Sequence, residues 1–108
     1  MNFENMFCLF ERPDHSYRRV FKLAANNEID DIDSKGNPNE RYWDFKNSKL
    51  NLYNFRNIRT SIYILEKEEV LDDGYKLYYF SGKNNKDIKL NITMSDSIDV
   101  VKKLFNNL

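Results

Sequence analysis

The sequence has little cysteine and little histidine. Among its 108 residues, Cys8 is the only cysteine and His15 the only histidine. A single cysteine cannot form the internal disulfides on which small secreted domains usually depend, so we expect a reducing, cytoplasmic location. Cys8 with His15 is also the only candidate pair for nucleophilic catalysis that contains a histidine. Because nothing else in the sequence brings the two together, we predict no catalytic residues, no metal site and no cofactor.

Net charge and long apolar runs are also absent. The 17 basic residues balance the 17 acidic ones, so no strong field attracts nucleic acid or an acidic membrane. No stretch approaches the roughly 20 apolar residues of a membrane-spanning helix. The N-terminal apolar run is interrupted by Glu4 and Asn5 and lacks the basic residues of a signal peptide. We therefore predict a soluble protein with no nucleic-acid partner and no membrane span.

Phosphate and calcium loops are excluded by a shortage of suitable residues. The 3 glycines stand apart from one another, so they do not form a phosphate-binding loop. The acidic stretch 30–40 places Asp31 and Asp33 at the spacing of calcium ligands. Lys35 and Tyr42, however, occupy the positions where the fifth and twelfth residues of such a loop supply oxygen ligands. We interpret 30–40 as a polar surface loop.

Short stretches with the two-residue period of β-strands make up most of the sequence. The alternation is cleanest at Ile88, Leu90 and Ile92, which alternate with polar residues. Turn-forming asparagine, aspartate and glycine residues separate these stretches, as at Asn26-Asn27 and Asn47-Ser48. The predicted strands cover 7–11 (a strand or an irregular edge segment), 17–25, 42–45, 50–53, 60–65, 75–80 and 88–92.

The C-terminal segment has a helical period instead. Ser95 and Asp96 are suitable N-caps, and Asp99 lies near the positive end of the helix dipole. One face of the helix collects the apolar residues Ile98, Val101, Leu104, Phe105 and Leu108. We predict an amphipathic helix from about residue 96 to about residue 107.

The fold class predicted from these elements is mainly β, with one C-terminal helix. Residues 1–108 form a single domain, and no helix separates one strand from the next, which argues against a parallel sheet. The strands run from about residue 6 to about residue 94 as an antiparallel up-and-down meander. We expect this meander to curl into a small barrel or half-barrel that the helix covers on one face or at one end.

Aromatic residues make up 15% of the chain. We expect Phe21, Trp43, Phe45 and Phe80 to build the core. A second group is predicted on the opposite pleat: Tyr42, Tyr53, Tyr63 and Tyr78. Exposed rings of this kind either stack on a flat ligand such as a sugar or are covered by a barrel wall or a protein interface, and both interpretations stay open.

One local pattern resembles a known family. Asn39-Glu40 and Trp43, preceded by Phe21-Lys22-Leu23 and followed by Phe80-Ser81-Gly82, are similar to a small β module found with bacterial glycosyltransferases and other cell-surface polysaccharide enzymes. The sequence departs from that pattern at Asn27, where a turn glycine is expected, and at Leu90, where a histidine is expected. The resemblance implies an accessory role in glycan assembly rather than the transfer step itself.

The leading hypothesis is a non-catalytic accessory or binding domain linked to bacterial polysaccharide biosynthesis. Its partner would be a saccharide, a nucleotide-sugar or a glycan-assembly protein. Trp43 would anchor the core, and Asn39 with Glu40 would either order their loop by hydrogen bonds to backbone amides or face a polar ligand. The candidate binding residues are Asn39, Glu40, Tyr42, Trp43, Tyr53, Arg59, Tyr63 and Tyr78. Two alternatives remain, a homodimer formed through a sheet edge or the tyrosine face, and a small barrel-like enzyme.

Overall fold

The chain folds into eight antiparallel strands followed by one helix. The computed structural model describes residues 2–34 and 39–107. The elements are β1 (Phe7–Glu11), β2 (Arg18–Leu23), β3 (Ile29–Ser34), β4 (Tyr42–Lys46), β5 (Lys49–Tyr53), β6 (Arg59–Val70), β7 (Lys76–Asn84), β8 (Lys89–Ser95) and α1 (Ile98–Asn106). A short 3-10 turn at Ala25–Asn27 joins β2 to β3.

A single sheet contains all eight strands in the order β3-β2-β1-β8-β7-β6-β5-β4. Pairing of the first strand with the last bends the meander round, so that β3 and β4 become its two edges. These edges meet at an isolated bridge between Glu28 and Tyr42, beside a 2.9 Å hydrogen bond from the Ile29 amide to the Arg41 carbonyl. The predicted fold class, a mainly β meander curled into a half-barrel with one helix, is confirmed.

Apolar side chains fill the concave side of the sheet. Phe3 is central, and its ring meets those of Phe45, Tyr78 and Phe80 edge to face at centroid distances of 4.9, 5.3 and 5.6 Å. Each fully buried side chain of this size contributes about 2 kcal/mol of transfer free energy. The buried members of the core include Cys8, Phe10, Phe21, Leu23, Trp43, Leu50, Leu52, Tyr63, Leu90, Ile92 and Met94. The prediction that Phe21, Trp43 and Phe80 lie in the core is confirmed. Phe45, also predicted in the core, is half-buried and packs against it.

Helix α1 covers the convex side of β1 and β2. A second, smaller cluster joins it to these strands: Leu9, Val20 and Val101, with Phe7, Ile98 and Phe105 against them. The N-cap is Ser97, whose hydroxyl accepts a hydrogen bond from the Val100 amide at 3.4 Å, rather than the predicted Ser95 or Asp96. Leu104 is exposed, contrary to the expected apolar face, and Leu108 lies outside the described residues. Across residues 2–34 and 39–107, no helix has the length and apolar character needed to cross a bilayer.

Arg18 holds the C-terminal end of this helix. Its side chain donates to the carbonyls of Leu104, at 3.0 Å, and Phe105, and its Nε donates to the Glu11 carboxylate at 2.8 Å. A cation at this end complements the helix dipole and satisfies carbonyls that have no partner within the helix.

Three strands occupy residues outside the predicted strand bounds. The stretch 30–40, interpreted as a polar surface loop, begins as β3, while residues 35–38 lie outside the described part of the chain. Strand β6 continues through the charged segment to Val70, and β7 continues to Asn84. Their charged side chains face solvent while the backbones pair, as in Glu69 opposite Leu77. Strand β1, expected as a strand or an irregular edge, is a strand and lies between β2 and β8.

The predicted turns are confirmed by their backbone angles. Asn26 and Asn27 have φ of 62° and 61°, and Asn47 and Ser48 have φ of 54° and 63°. Asparagine tolerates this left-handed region better than most residues, and two successive positive φ values suit a two-residue hairpin.

Gly82 leads to a prediction about packing between β6 and β7. A Cβ atom there would lie 1.9 Å from the Ile62 carbonyl oxygen and 2.8 Å from a Tyr63 ring carbon. The clash involves backbone, so we expect Gly82→Ala to lower the free energy of unfolding by about 3 kcal/mol. At Gly74, with φ of +89° and no atom within 4 Å, alanine should cost only about 1 kcal/mol. Urea unfolding of both variants measures the difference, and equal losses would contradict the clash.

Candidate binding site at the mouth of the half-barrel

Three of the predicted binding residues face the core. Trp43 is 6% exposed, and its indole nitrogen donates to the Ala24 carbonyl at 3.0 Å. Tyr63 is fully buried and hydrogen-bonded to the Ser61 hydroxyl at 2.9 Å, while Tyr78 packs half-buried against the core. Burial raises the pKa of the Tyr63 hydroxyl. Trp43 is thus a core anchor as predicted, but the placement of Tyr63 and Tyr78 on the outer pleat is wrong.

Three others lie on the outer wall of β4, β5 and the start of β6: Tyr42, Tyr53 and Arg59. The Tyr53 hydroxyl and the Asn51 side-chain amide both donate to the Asp44 carboxylate, at 2.8 and 2.9 Å. Arg59 donates to the Asn51 side-chain oxygen at 3.4 Å, and Tyr42 lines the same shallow depression as Tyr53. Burial, and then the hydrogen bond to Asp44, raise the pKa of Tyr53. The polar groups of this wall therefore serve largely as hydrogen-bond partners for one another.

The remaining two, Asn39 and Glu40, lie just before β4 and beside Arg19, which is not among the predicted binding residues. Arg19, on β2, is 0% exposed and donates from Nη1 to the Glu40 carboxylate at 2.5 Å. Its Nη2 pairs with Asp31 on β3. The same Glu40 oxygen accepts from the Asn39 backbone amide at 3.0 Å, which is one of the two roles predicted for this residue. The Arg19 guanidinium also lies over the Phe21 ring, 5.2 Å from its centroid.

Arg19, Asp31 and Glu40 form what we call the seam cluster, because they lie where the two edges of the sheet meet, a boundary that we call the seam. The cluster links β2 and β3 on one side to the segment that enters β4 on the other. Burial raises the pKa of Glu40 above its ordinary value, and the Arg19 guanidinium offsets only part of that effect. Within the described residues, the buried Nε of Arg19 has no hydrogen-bond partner.

Glu40 also borders a cavity of about 420 Å³ at the open end of the half-barrel. We call this cavity the mouth. At this end β1, β5 and β7 finish, and β2, β4, β6 and β8 begin. Apolar side chains form part of its wall: Phe10, Tyr17, Phe55, Ile88 and Leu90. Polar side chains form the rest: Arg12, Asn39, Glu40, Asn54, Thr60, Asn84, Asn85 and Lys86. Phe55 is 68% exposed, so a large ring lies at the rim of this cavity, with the Arg56 guanidinium 5.4 Å from its centroid.

The chemistry of the mouth favours binding over acid–base catalysis. Glu40 is the only carboxylate among the described lining residues, and it already accepts hydrogen bonds from Arg19 and the Asn39 amide. Cys8 is buried within β1, where burial raises the pKa of its thiol, while His15 lies in the turn after β1 and pairs with Glu11 at 2.8 Å. Rings beside carboxamide groups are suited to a ligand that has both an apolar face and polar substituents.

Most residues that line the mouth were not predicted as binding residues, because they are far apart in the sequence. One available signal was Arg19, which shares the inward phase of β2 with Phe21 and Leu23 and therefore had to be buried. Another was the rim turns, in which Asn54 and Asn84 each start a four-residue turn. Comparison of the chain with known family models, curated proteins and solved structures found no match.

The seam cluster predicts a pH-dependent loss of stability. Arg19→Met leaves the Glu40 carboxylate buried without its cation, and we expect the free energy of unfolding at neutral pH to fall by about 3 kcal/mol. The substitution raises the pKa of Glu40 further above its value in the unfolded chain. The folded variant then binds a proton more readily than the unfolded one, so its stability should increase as the pH falls through that raised pKa and decrease as the pH rises. Urea unfolding over a pH series measures both effects.

Two further variants test this explanation. Arg41→Met removes an exposed arginine beside the seam and should change stability by about 0.5 kcal/mol or less. Arg19→Met combined with Glu40→Leu removes both buried charges and should recover most of the loss, since Asp31 is 39% exposed and can stay hydrated. A loss that is equal at every pH, or that persists in the double variant, would contradict the role given to Glu40.

Proposed function

We propose that this protein is a non-catalytic binding domain that holds a saccharide or a nucleotide-sugar at the mouth of the half-barrel. The observation that carries the proposal is the cavity of about 420 Å³, in which exposed Phe55 and buried Phe10 lie among asparagine side chains. A volume of this order suits a small ligand, and barrel mouths are common ligand sites. The face of a sugar ring stacks on an aromatic ring while carboxamides bind its hydroxyls.

The resemblance of the Asn39-Glu40 and Trp43 pattern to glycosyltransferase-associated modules supports the same ligand class. In this proposal the domain serves bacterial glycan assembly as an accessory, presenting or retaining a saccharide for a separate enzyme or assembly protein. Of the residues in that pattern, Asn39 and Glu40 border the mouth, and Trp43 supports β4 from the core.

Self-association has less support than ligand binding. The edge strand β3 carries three aspartates, and the part of β6 beyond Ile64, which no longer pairs with β5, carries Glu66, Lys67, Glu68 and Glu69 after Leu65. Charged side chains on exposed edges oppose pairing with a second copy. A groove of about 490 Å³ on the outer wall contains Ile62 and Ile64, but Lys49, Lys83 and Lys89 surround it. A twofold interface centred there would bring the lysines of both copies together.

Phe55 provides the direct test of saccharide binding. We expect Phe55→Ala to weaken binding of an oligosaccharide about tenfold, because it removes the stacking ring. Stability should change by about 0.5 kcal/mol or less, since the ring is already exposed. Isothermal titration calorimetry, with NMR shifts of the Asn54 side-chain amide, measures affinity and location together.

A matched control removes an exposed ring at the opposite end of the sheet. Tyr75 is 43% exposed in the turn between β6 and β7, and Tyr75→Ala should leave the affinity unchanged. Absence of binding across neutral, acidic and phosphorylated saccharides would reject the proposed function. Binding that weakens equally in both variants would place the site elsewhere.

A further inference from the structure

Two turns at the mouth have the same construction. Asn54 begins one and Asn84 the other, and each is followed by a basic residue two positions on and by isoleucine four positions on. The Asn54 side-chain oxygen accepts from the amides of residues 56 and 58 at 2.9 and 3.1 Å. The Asn84 side-chain oxygen accepts from the amides of residues 86 and 88 at 2.9 and 3.0 Å. Both carboxamides are thereby fixed in orientation.

Fixing the oxygens leaves the nitrogens as donors. With Oδ1 engaged by two backbone amides, Nδ2 of each asparagine points away from its turn. Neither Nδ2 has an acceptor among the residues that the structure describes. Both side chains line the mouth, and the Asn85 backbone amide ties the second turn to the start of β6 through a 2.9 Å hydrogen bond to the Thr60 carbonyl. The mouth therefore has two oriented N–H donor groups in its wall, one from each turn.

Cations stand beside these donors. Arg12 and Lys86 line the same cavity, and neither forms an ion pair with another described residue. Of the neighbouring acids, Asp87 pairs with Lys83 at 3.1 Å, while Asp14 faces solvent in the turn after β1 and interacts electrostatically with Arg12 without forming an ion pair. Glu40, the one carboxylate in the wall, is paired with Arg19. Within a chain of zero net charge, the mouth has an excess of donors and positive charge.

We propose that the mouth selects an anionic ligand, whose carboxylate or phosphate group binds Arg12, Lys86 and the Nδ2 groups of Asn54 and Asn84. This inference rests on the proposed function and narrows its ligand class to acidic or phosphorylated saccharides. Charged hydrogen bonds to carboxylate and phosphate oxygens are the strongest that such donors form. The apolar wall then contacts the ring of the same ligand.

The test is an NMR titration of the full chain with glucose, glucuronate and glucose 1-phosphate. We expect glucuronate or glucose 1-phosphate to bind about tenfold more tightly than glucose, with the advantage decreasing at high salt. The two anions distinguish a carboxylate from a phosphate preference, and a gain for either one supports the inference.

Asn84→Asp is the most informative variant. It keeps the oxygen that holds the turn but replaces the Nδ2 donor with a negative oxygen, so the fold should persist while affinity for the anion falls about tenfold or more. Asn47→Asp makes the same change in charge in a turn at the opposite end and should leave affinity unaltered. Lys86→Gln should weaken binding of the anion about tenfold. The control Lys102→Gln, at an exposed position of the helix, should leave that affinity unchanged.

The outcomes separate the two proposals. If glucose binds as tightly as both anions and Asn84→Asp has no effect, selection of an anion is overturned while saccharide binding stands. If none of the three sugars binds, and longer oligosaccharides also fail, the proposed function falls together with the inference.

Discussion

The structure depends on the neutralisation of one buried cation. Arg19 lies on the concave side of β2 with no exposed surface, and an unpaired guanidinium there would be strongly destabilising. Its partners come from the two edges of the sheet, Asp31 on β3 and Glu40 before β4. The backbone pairing described between those edges is an isolated bridge with one flanking hydrogen bond, so this charge cluster also helps to fix the position of the segment that enters β4.

Glu40 connects the core to the mouth because it lies at the seam. Glu40 contacts Arg19 on its inner side and borders the cavity on its outer side. The core below is filled by packed rings, including Phe10 and Tyr63, whose centroids lie 6.5 Å apart. In the proposed function, a ligand would meet turns and strand ends held by the sheet rather than a deep lumen. Loops on such a scaffold can bind with little ordering cost.

The sequence predicted the strands and turns well where alternation and turn chemistry are local. Strand β8 and the asparagine turns follow from neighbouring residues alone. Strand β3 was predicted as a loop because aspartates crowd it, and local propensity counts them against a strand. The compensating partner of Asp31 is Arg19, 12 positions away, so the pairing that makes an acidic strand acceptable is not visible in a local pattern.

The site was harder to predict, because binding depends on which pleat a residue occupies and on which turns meet. Tyr63 and Tyr78 were predicted on the outer face of the sheet, but both side chains point to the core. Successive side chains of a strand point to opposite faces, so an error of one residue in the alternation exchanges core and surface positions. The mouth joins Asn54 to Asn84 only because β6 and β7 are neighbours in the sheet. Topology thus places two similar turns on the wall of one cavity, and the proposed binding chemistry depends on both turns together rather than on either turn alone.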